Sequence, residues 1–309
     1  LLRMYVMKKN ELNMFRAICN GHMSMADLKG ATGVSSISAY RIAQSLASKR
    51  LIVVRRDGKR SVISPSSHGH SKALAAYLEG NRRPVEPLVG SRLLVMLSVS
   101  NYPKDLGRIA KEVRLSSESV RRLAWVLKGY GAVNQERQMV SIPESDVSLV
   151  RFLKDFSKGA CSAFLEDMTS TGSVLWSEGL EFIFAARGLD NAPYARETGI
   201  TAMSRRGLEF MSDTRYYHYA YWRPRLRPED IALHNILVDP YSARSMAYSL
   251  LFLMKEGYDQ RYLLKQGAAV GIGELARQMM VYLDGEAVAG AHFPDRADLD
   301  QLRAQYGVD

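Results

Sequence analysis

Residues 35–52 read SSISAYRIAQSLASKRLI, and residues 116–133 read SSESVRRLAWVLKGYGAV. At an offset of 81 residues they pair Ser35 with Ser116, Ser36 with Ser117, Ser38 with Ser119 and Arg41 with Arg122. Ile42, Ala43, Leu46 and Ile52 then meet Leu123, Ala124, Leu127 and Val133. The frame continues upstream without a gap, setting Leu12, Phe15, Ile18 and Leu28 against Leu93, Met96, Val99 and Ile109. A fixed period that preserves apolar positions marks one small structural unit present twice.

Each copy has the same internal grammar. In the first, Leu12, Phe15, Ala17, Ile18 and Cys19 form a helical stripe that stops at Asn20-Gly21. Ser24 caps a second helix through Ala26, Leu28 and Ala31, which Gly33 closes. Ser35 or Ser36 caps a third, with Ala39, Ile42, Ala43 and Leu46 facing inward. Residues 51–63 then place two β-prone segments around Asp57-Gly58, a hairpin signal. The second copy predicts helices over 93–99, 103–113 and 117–130, with Pro103 in the first turn of its second helix. A shorter hairpin follows around 133–142, where Gln135-Glu136-Arg137-Gln138 replaces the basic tip Arg55-Arg56-Asp57-Gly58-Lys59-Arg60.

Three helices followed by a hairpin resemble the winged helix-turn-helix transcription regulators, over roughly residues 9–65 and 90–143. The resemblance implies that the third helix enters the major groove by its N-terminal half. In this chain that half holds Ser35, Ser36, Ser38, Ala39, Tyr40 and Arg41, and in the second copy Ser116, Ser117, Glu118, Ser119, Arg121 and Arg122. It also implies that Arg55, Arg56, Lys59 and Arg60 lie on a wing, over phosphates or a minor groove. The residue chemistry agrees, because hydroxyls and free N–H groups at a helix start meet phosphate oxygens, and arginine reads guanine or clamps phosphate. Plainer readings stand beside it: each serine as a simple cap, Arg121 and Arg122 as a solvated face, the wing as a soluble turn. Glu118 repels phosphate, which leaves the second copy open to protein docking.

Charge follows the same division. Residues 1–75 carry 13 Lys/Arg against 3 Asp/Glu, residues 76–145 carry 11 against 7, and residues 146–309 carry 18 against 22. The formal net charge of +10 therefore belongs to the N-terminal half, as expected of a region that meets a polyanion. With 309 residues, 47% hydrophobic and 24% charged, the chain reads as folded and multidomain, not disordered or fibrous. No apolar run approaches a membrane span, and the opening Leu1–Met7 is too short for a secretory signal. Cys19 and Cys161 make neither a disulfide framework nor a zinc site, so both read as core residues in a reducing, cytoplasmic setting. His68 and His70 lack a nearby third metal ligand.

The repeat ends near residue 147. A helix is expected over 147–156, with a short helix or strand over 160–168. Strands are expected at 174–176, at 180–186 with a helix as the alternative there, and within RYYHYAYW (215–222), and helices over 231–238, 242–255, 273–283 and 297–306. The expected architecture is thus two tandem α+β winged-helix domains, 1–79 with a short linker helix and 80–146, followed by a mixed α/β domain at 147–309. Residues 227–255, RPEDIALHNILVDPYSARSMAYSLLFLMK, are loosely similar to the nucleotidyltransferase-like domain of antitoxin-type regulators. That domain would need a spaced aspartate pair for magnesium, which cannot be placed here, so the resemblance implies a regulatory or protein-binding role. Gly267–Gly273 is glycine-rich but has neither the lysine nor the spacing of a phosphate loop.

Candidate clusters in this half are His218, His234, Asp239, Arg244 and Tyr248, and the run Arg223, Arg225, Arg227 with Tyr219, Tyr221 and Trp222. The second set suits stacking on nucleic acid, or the core side of a strand. The leading expectation is a sequence-specific regulator of double-stranded DNA with no catalytic, metal or cofactor residues. Its expected partners are DNA, a second copy of the chain, and an effector or protein held by the C-terminal domain. The alternatives are a nucleic-acid-directed enzyme drawing on Glu178, Glu181, Asp190 and Asp239, or a DNA binder without promoter specificity.

Overall fold

A computed structural model describes residues 2–21, 24–57, 60–80, 84–189, 192–209, 213–288 and 292–308. The chain is a mixed α and β protein in which helices predominate and the described strands form small sheets. It divides into two compact units, residues 1–167 with 178–180, and residues 168–177 with 181–309. Among the described residues no helix is long and apolar enough to cross a membrane.

The first unit contains both copies. Helices Lys9–Cys19, Met25–Thr32 and Ser36–Ser48 precede strands Ile52–Asp57 and Arg60–Pro65, which pair antiparallel from Ile52↔Pro65 to Asp57↔Arg60. In the second copy, helices Ser91–Ser98, Leu106–Val113 and Ser117–Gly129 precede strands Asn134–Glu136 and Met139–Ser141. A two-residue strand, Lys104–Asp105, adds a third member on the far side of Met139–Ser141.

Burial repeats at the same offset. Leu12, Phe15, Ile18, Leu28, Ala39, Ala43, Leu46 and Ile52 are all buried, and so are Leu93, Met96, Val99, Ile109, Val120, Ala124, Leu127 and Val133. The caps repeat as well: Ser24 and Asp105 each accept a backbone N–H three residues on, as do Ser35 and Ser116. The backbone adds a signature that residue identity conceals. Gly33 and Arg114 both close their second helix in the left-handed region, with φ 68° and 55°. Arg50 and Gly131 do the same after the third helix, with φ 54° and 69°. Glycine adopts this conformation freely and arginine at some cost, so the chain path is kept where the side chain is not.

Two expectations are corrected in this unit. Pro103 does not open the second helix of the second copy: it precedes strand Lys104–Asp105, and the helix begins at Leu106 with Asp105 as its cap. Residues 147–156 and 160–168 are not separate elements but one 22-residue helix, Val147–Met168. Gly159 and Ala160 continue it, because its apolar positions hold the 3.6-residue period from Leu149 through Leu165. Within the first unit, Phe152 of this helix stacks on Tyr77 of helix Gly69–Gly80 at 4.4 Å, and Phe156 meets Tyr5 at 5.9 Å.

The second unit holds a four-stranded sheet in the order Ser173–Glu178, Glu181–Ala186, Arg215–Tyr219, Ala195–Glu197. The aromatic run at 215–222 contributes its core side: Tyr217 and Tyr219 are buried and stack across the ladder on Phe184 and Phe182, at 5.3 and 5.2 Å. Helices Gly199–Arg205, Pro228–Val238, Ala243–Glu256, Gln260–Ala269, Gly273–Leu283 and Arg296–Tyr306 complete the unit around Met203, Leu233, Leu250, Leu263 and Met279. Gly267 and Gly273 serve packing between two of these helices. A Cβ on Gly267 would stand 2.5 Å from that of Ala276, and one on Gly273 would stand 3.1 Å from the Ala268 backbone.

Candidate nucleic-acid interface

The start of the third helix is built alike in both copies. The Ser38 N–H donates to Ser35 Oγ at 3.2 Å, with the two hydroxyls 3.0 Å apart. The Ser119 N–H donates to Ser116 Oγ at 3.1 Å, with the hydroxyls 2.9 Å apart. Ser35 and Ser116 are therefore helix caps, while Ser36 and Ser117 stand exposed in the first turn and Ser38 and Ser119 are half-buried.

Beyond the caps the two faces diverge. In the first copy Ser36, Ile37, Tyr40 and Arg41 are exposed, and Ser36 with Tyr40, like Ile37 with Arg41, stand four residues apart on one face of the helix. Ile37 is 69% and Tyr40 57% accessible, values that packing does not explain. Arg55 and Arg56 are exposed on the outgoing strand of the hairpin, opposite Val62 and Ser61. No carboxylate among the described residues pairs with Arg41, Arg55 or Arg56. Lys59 lies outside the described residues, and Arg60 enters only as the backbone that begins the returning strand.

In the second copy the exposed positions are Ser117, Glu118, Arg121, Arg122 and Trp125. Glu118 takes Arg121 at 2.6 Å and reaches Arg122 at 4.0 Å, so both arginines share one carboxylate. Such an exposed cluster adds little stability. It does, however, reduce the positive field this face presents. Trp125 is 73% accessible and, with Tyr130, lines a shallow cleft. Trp125 escapes a reading of helix periodicity. The repeat register finds it, because it stands where the first copy has the solvent-exposed Gln44.

Two further basic residues join the first copy. Lys8, Lys9, Glu11, Ser38 and Arg41 line a cleft of about 410 Å³ between the start of the first helix and the third, and Lys9 pairs with Glu86 at 2.7 Å. Under it, Glu11 is buried and accepts from Lys49 Nζ at 2.7 Å, which ties the first helix to the end of the third. Burial pushes the Glu11 carboxyl up, but hydrogen bonds from Lys49, Ser45 and the Lys8 amide outweigh it and hold it below the usual carboxylate range.

Of the candidate clusters of the second unit, part is brought together: His218 with His234, and Arg244 with Tyr248. His218 Nε2 lies 3.0 Å from Glu181 Oε2, its ring lies 4.3 Å from that of His234, and His234 Nδ1 lies 2.8 Å from Thr198 Oγ1, all four residues being buried. Burial, the neighbouring His218 and the Arg223 charge hold His234 well below the ordinary histidine value, so it sits in the core as a neutral ring. Asp239 ends helix Pro228–Val238 in an exposed position, and Arg244 lies over Tyr248 at 5.7 Å. Arg223 is held by Asp230 and Gln266 at 2.8 and 2.7 Å, and Arg227 stacks on Tyr262 at 4.2 Å. Of that arginine run only Arg225 remains exposed without a carboxylate among the described residues. Glu178 and Glu181 fall in different units, and Asp190 lies outside the described residues. In the first unit, His70 Nε2 meets the Lys49 carbonyl at 2.8 Å and His68 Nδ1 meets Ser66 Oγ at 2.6 Å.

Residues 192–308 match the family model described as HVO_2833_C, C-terminal. No curated protein matches the chain. No solved structure matches it either.

Proposed function

We propose that the chain is a sequence-specific, double-stranded DNA-binding transcription regulator of the cytoplasm, built on two tandem winged helices. The observation that carries this reading is the outward face of the first copy. There Ser36, Ile37, Tyr40 and Arg41 at a helix start accompany Arg55 and Arg56 on a hairpin, and no described carboxylate side chain pairs with Arg41, Arg55 or Arg56. Arginine and a small apolar side chain at a helix start suit guanine edges and thymine methyls, and the hairpin arginines suit phosphates. Lys8 extends the basic surface, whereas Lys9 beside it is paired with Glu86 at 2.7 Å.

Within this reading the copies divide the work. The Glu118-held arginines and exposed Trp125 of the second copy favour contact with protein, either another subunit or a second copy of the chain. The second unit acts without catalysis, in sensing or oligomerisation. The test compares the full chain on fragments from its own upstream region with random duplex of equal length, across a salt series. We expect one fragment to bind at least about a thousandfold more tightly than random duplex at physiological salt. Equal binding to every duplex would overturn the regulator reading and leave only a non-specific binder.

A further inference from the structure

We infer that the second unit carries a binding cleft for a small anionic molecule with an apolar body, a phosphate monoester or a carboxylate bearing one aromatic or aliphatic group. The cleft has a volume of about 360 Å³ and lies among Arg196, Arg205, Arg206 and Arg225, over the apolar side chains of Leu226 and Ile231. Three segments converge on it: strand Ala195–Glu197, the end of helix Gly199–Arg205, and the loop ahead of helix Pro228–Val238.

Charge distribution is the main argument. Residues 146–309 carry 18 Lys/Arg against 22 Asp/Glu, yet four arginines line this one concavity. Glu197 is the one carboxylate among the lining residues, and it is engaged by Arg205 at 2.8 Å. Arg206 pairs with Glu256 at 2.9 Å. Arg196 donates from Nε to the Pro224 carbonyl at 3.1 Å and from Nη1 to the Ala195 carbonyl at 2.8 Å, which fixes the guanidinium without neutralising it. Arg225 meets no carboxylate among the described residues. Arg196 and Arg225 thus line one cleft with no carboxylate bonded to either among the described residues, which leaves both to an entering anion.

Size and shape narrow the ligand. Sites for small molecules span roughly 300–1,000 Å³ and combine apolar walls with a few fixed polar groups. The planar fork of arginine matches carboxylate and phosphate oxygens in pairs. A cleft at the low end of that range holds one anionic group and one ring-sized apolar body, and it excludes a duplex. The inference stands on the second unit alone and survives if the DNA reading fails.

The test uses 1-naphthyl phosphate as the probe, titrated calorimetrically into the full chain, with 1-naphthol and inorganic phosphate as the two half-ligands. The variants are Arg196→Gln/Arg225→Gln and, as a control, Arg277→Gln, whose partner Glu274 is a surface neighbour outside the cleft. An unchanged circular dichroism spectrum and melting curve show that the variants fold. We expect saturable binding of the probe, at least about tenfold tighter than either half-ligand and weakened by about tenfold or more in the double variant. The control should bind as the parent does. No saturable binding, or binding undiminished in the folded double variant, would overturn the inference. Displacement of the probe by a short duplex would overturn it too, and would reassign the arginines to a nucleic-acid backbone.

Discussion

In the first copy the third helix turns Ser36, Ile37, Tyr40 and Arg41 outward, whereas in the second the same positions hold Ser117, Glu118, Arg121 and Arg122. Inward, the two helices agree residue for residue in burial, from Ala39 against Val120 to Leu46 against Leu127. The contrast separates two kinds of constraint. A core position is tied to many neighbours at once, so a repeated fold repeats its apolar pattern. An exposed position answers only to what it meets. The proposed division of partners, a polyanion for the first copy and a protein for the second, rests on the divergence of these faces. The hairpins support the same division: Arg55 and Arg56 in the first copy correspond to Glu136 and Arg137 in the second.

The equivalence of the cores can be broken by truncation. Leu46→Ala and Leu127→Ala should each destabilise the first unit by about 4 kcal/mol, because both side chains are fully buried. Urea unfolding of the two variants measures this, and a near-zero cost for either would break the comparison.

The next effect belongs to the first copy alone. Glu11 pairs with Lys49 in the interior, whereas the offset places Arg92 and Tyr130 at those positions in the second copy. Glu11→Gln should cost about 3 kcal/mol at neutral pH, since it leaves the largely buried Lys49 ammonium without its counter-charge. The pH dependence follows from the lowered carboxyl. Its stabilisation is complete above the ordinary glutamate value of 4.5 and is lost as pH falls from there through the lower folded value. Acid unfolding of the variant should therefore lose this part of its pH dependence, and an unchanged acid transition would contradict the assignment.

Smaller effects sharpen the comparison. Ser35→Ala and Ser116→Ala should each cost about 1 kcal/mol, because each removes a side-chain bond to the first turn of its helix. Chemical denaturation should find the two costs equal within error if the caps are equivalent. Glu118→Ala releases Arg121 and Arg122 and should raise the affinity for random duplex by about threefold, an effect that salt removes. A change beyond tenfold would show that the second copy already stands on DNA.

Much of the first unit is legible in sequence because its signals are local. Ser24, Ser35 and Ser116 cap the helices they precede, and the hairpin signalled by Asp57-Gly58 forms, its strands pairing from Ile52↔Pro65 to Asp57↔Arg60. What escapes depends on distance or on context. Lys104–Asp105 forms a strand only because Met139 and Val140 lie beside it, and this displaces the helix start that Pro103 suggests. Helix Gln260–Ala269 is masked by glycines whose purpose is close approach to the next helix. The Glu11–Lys49 pair spans 38 residues, and the arginine cleft draws on three separate segments. Of the interface, the arginines and serines can be read from sequence, but their availability cannot. Only geometry shows that Glu118 occupies Arg121 and Arg122 while Arg55 and Arg56 meet no such carboxylate among the described residues.

The most direct test of this division of labour is the salt dependence of DNA affinity for three full-length proteins: the parent, Arg55→Ala/Arg56→Ala/Lys59→Ala/Arg60→Ala, and Arg121→Ala/Arg122→Ala. The first variant should lose at least about a hundredfold in affinity and flatten the slope of log affinity against log salt by about 2 to 4 units. The second should stay within about threefold of the parent, with its slope unchanged. Equal losses in the two variants, or a loss confined to the second, would contradict the assignment of DNA to the first copy.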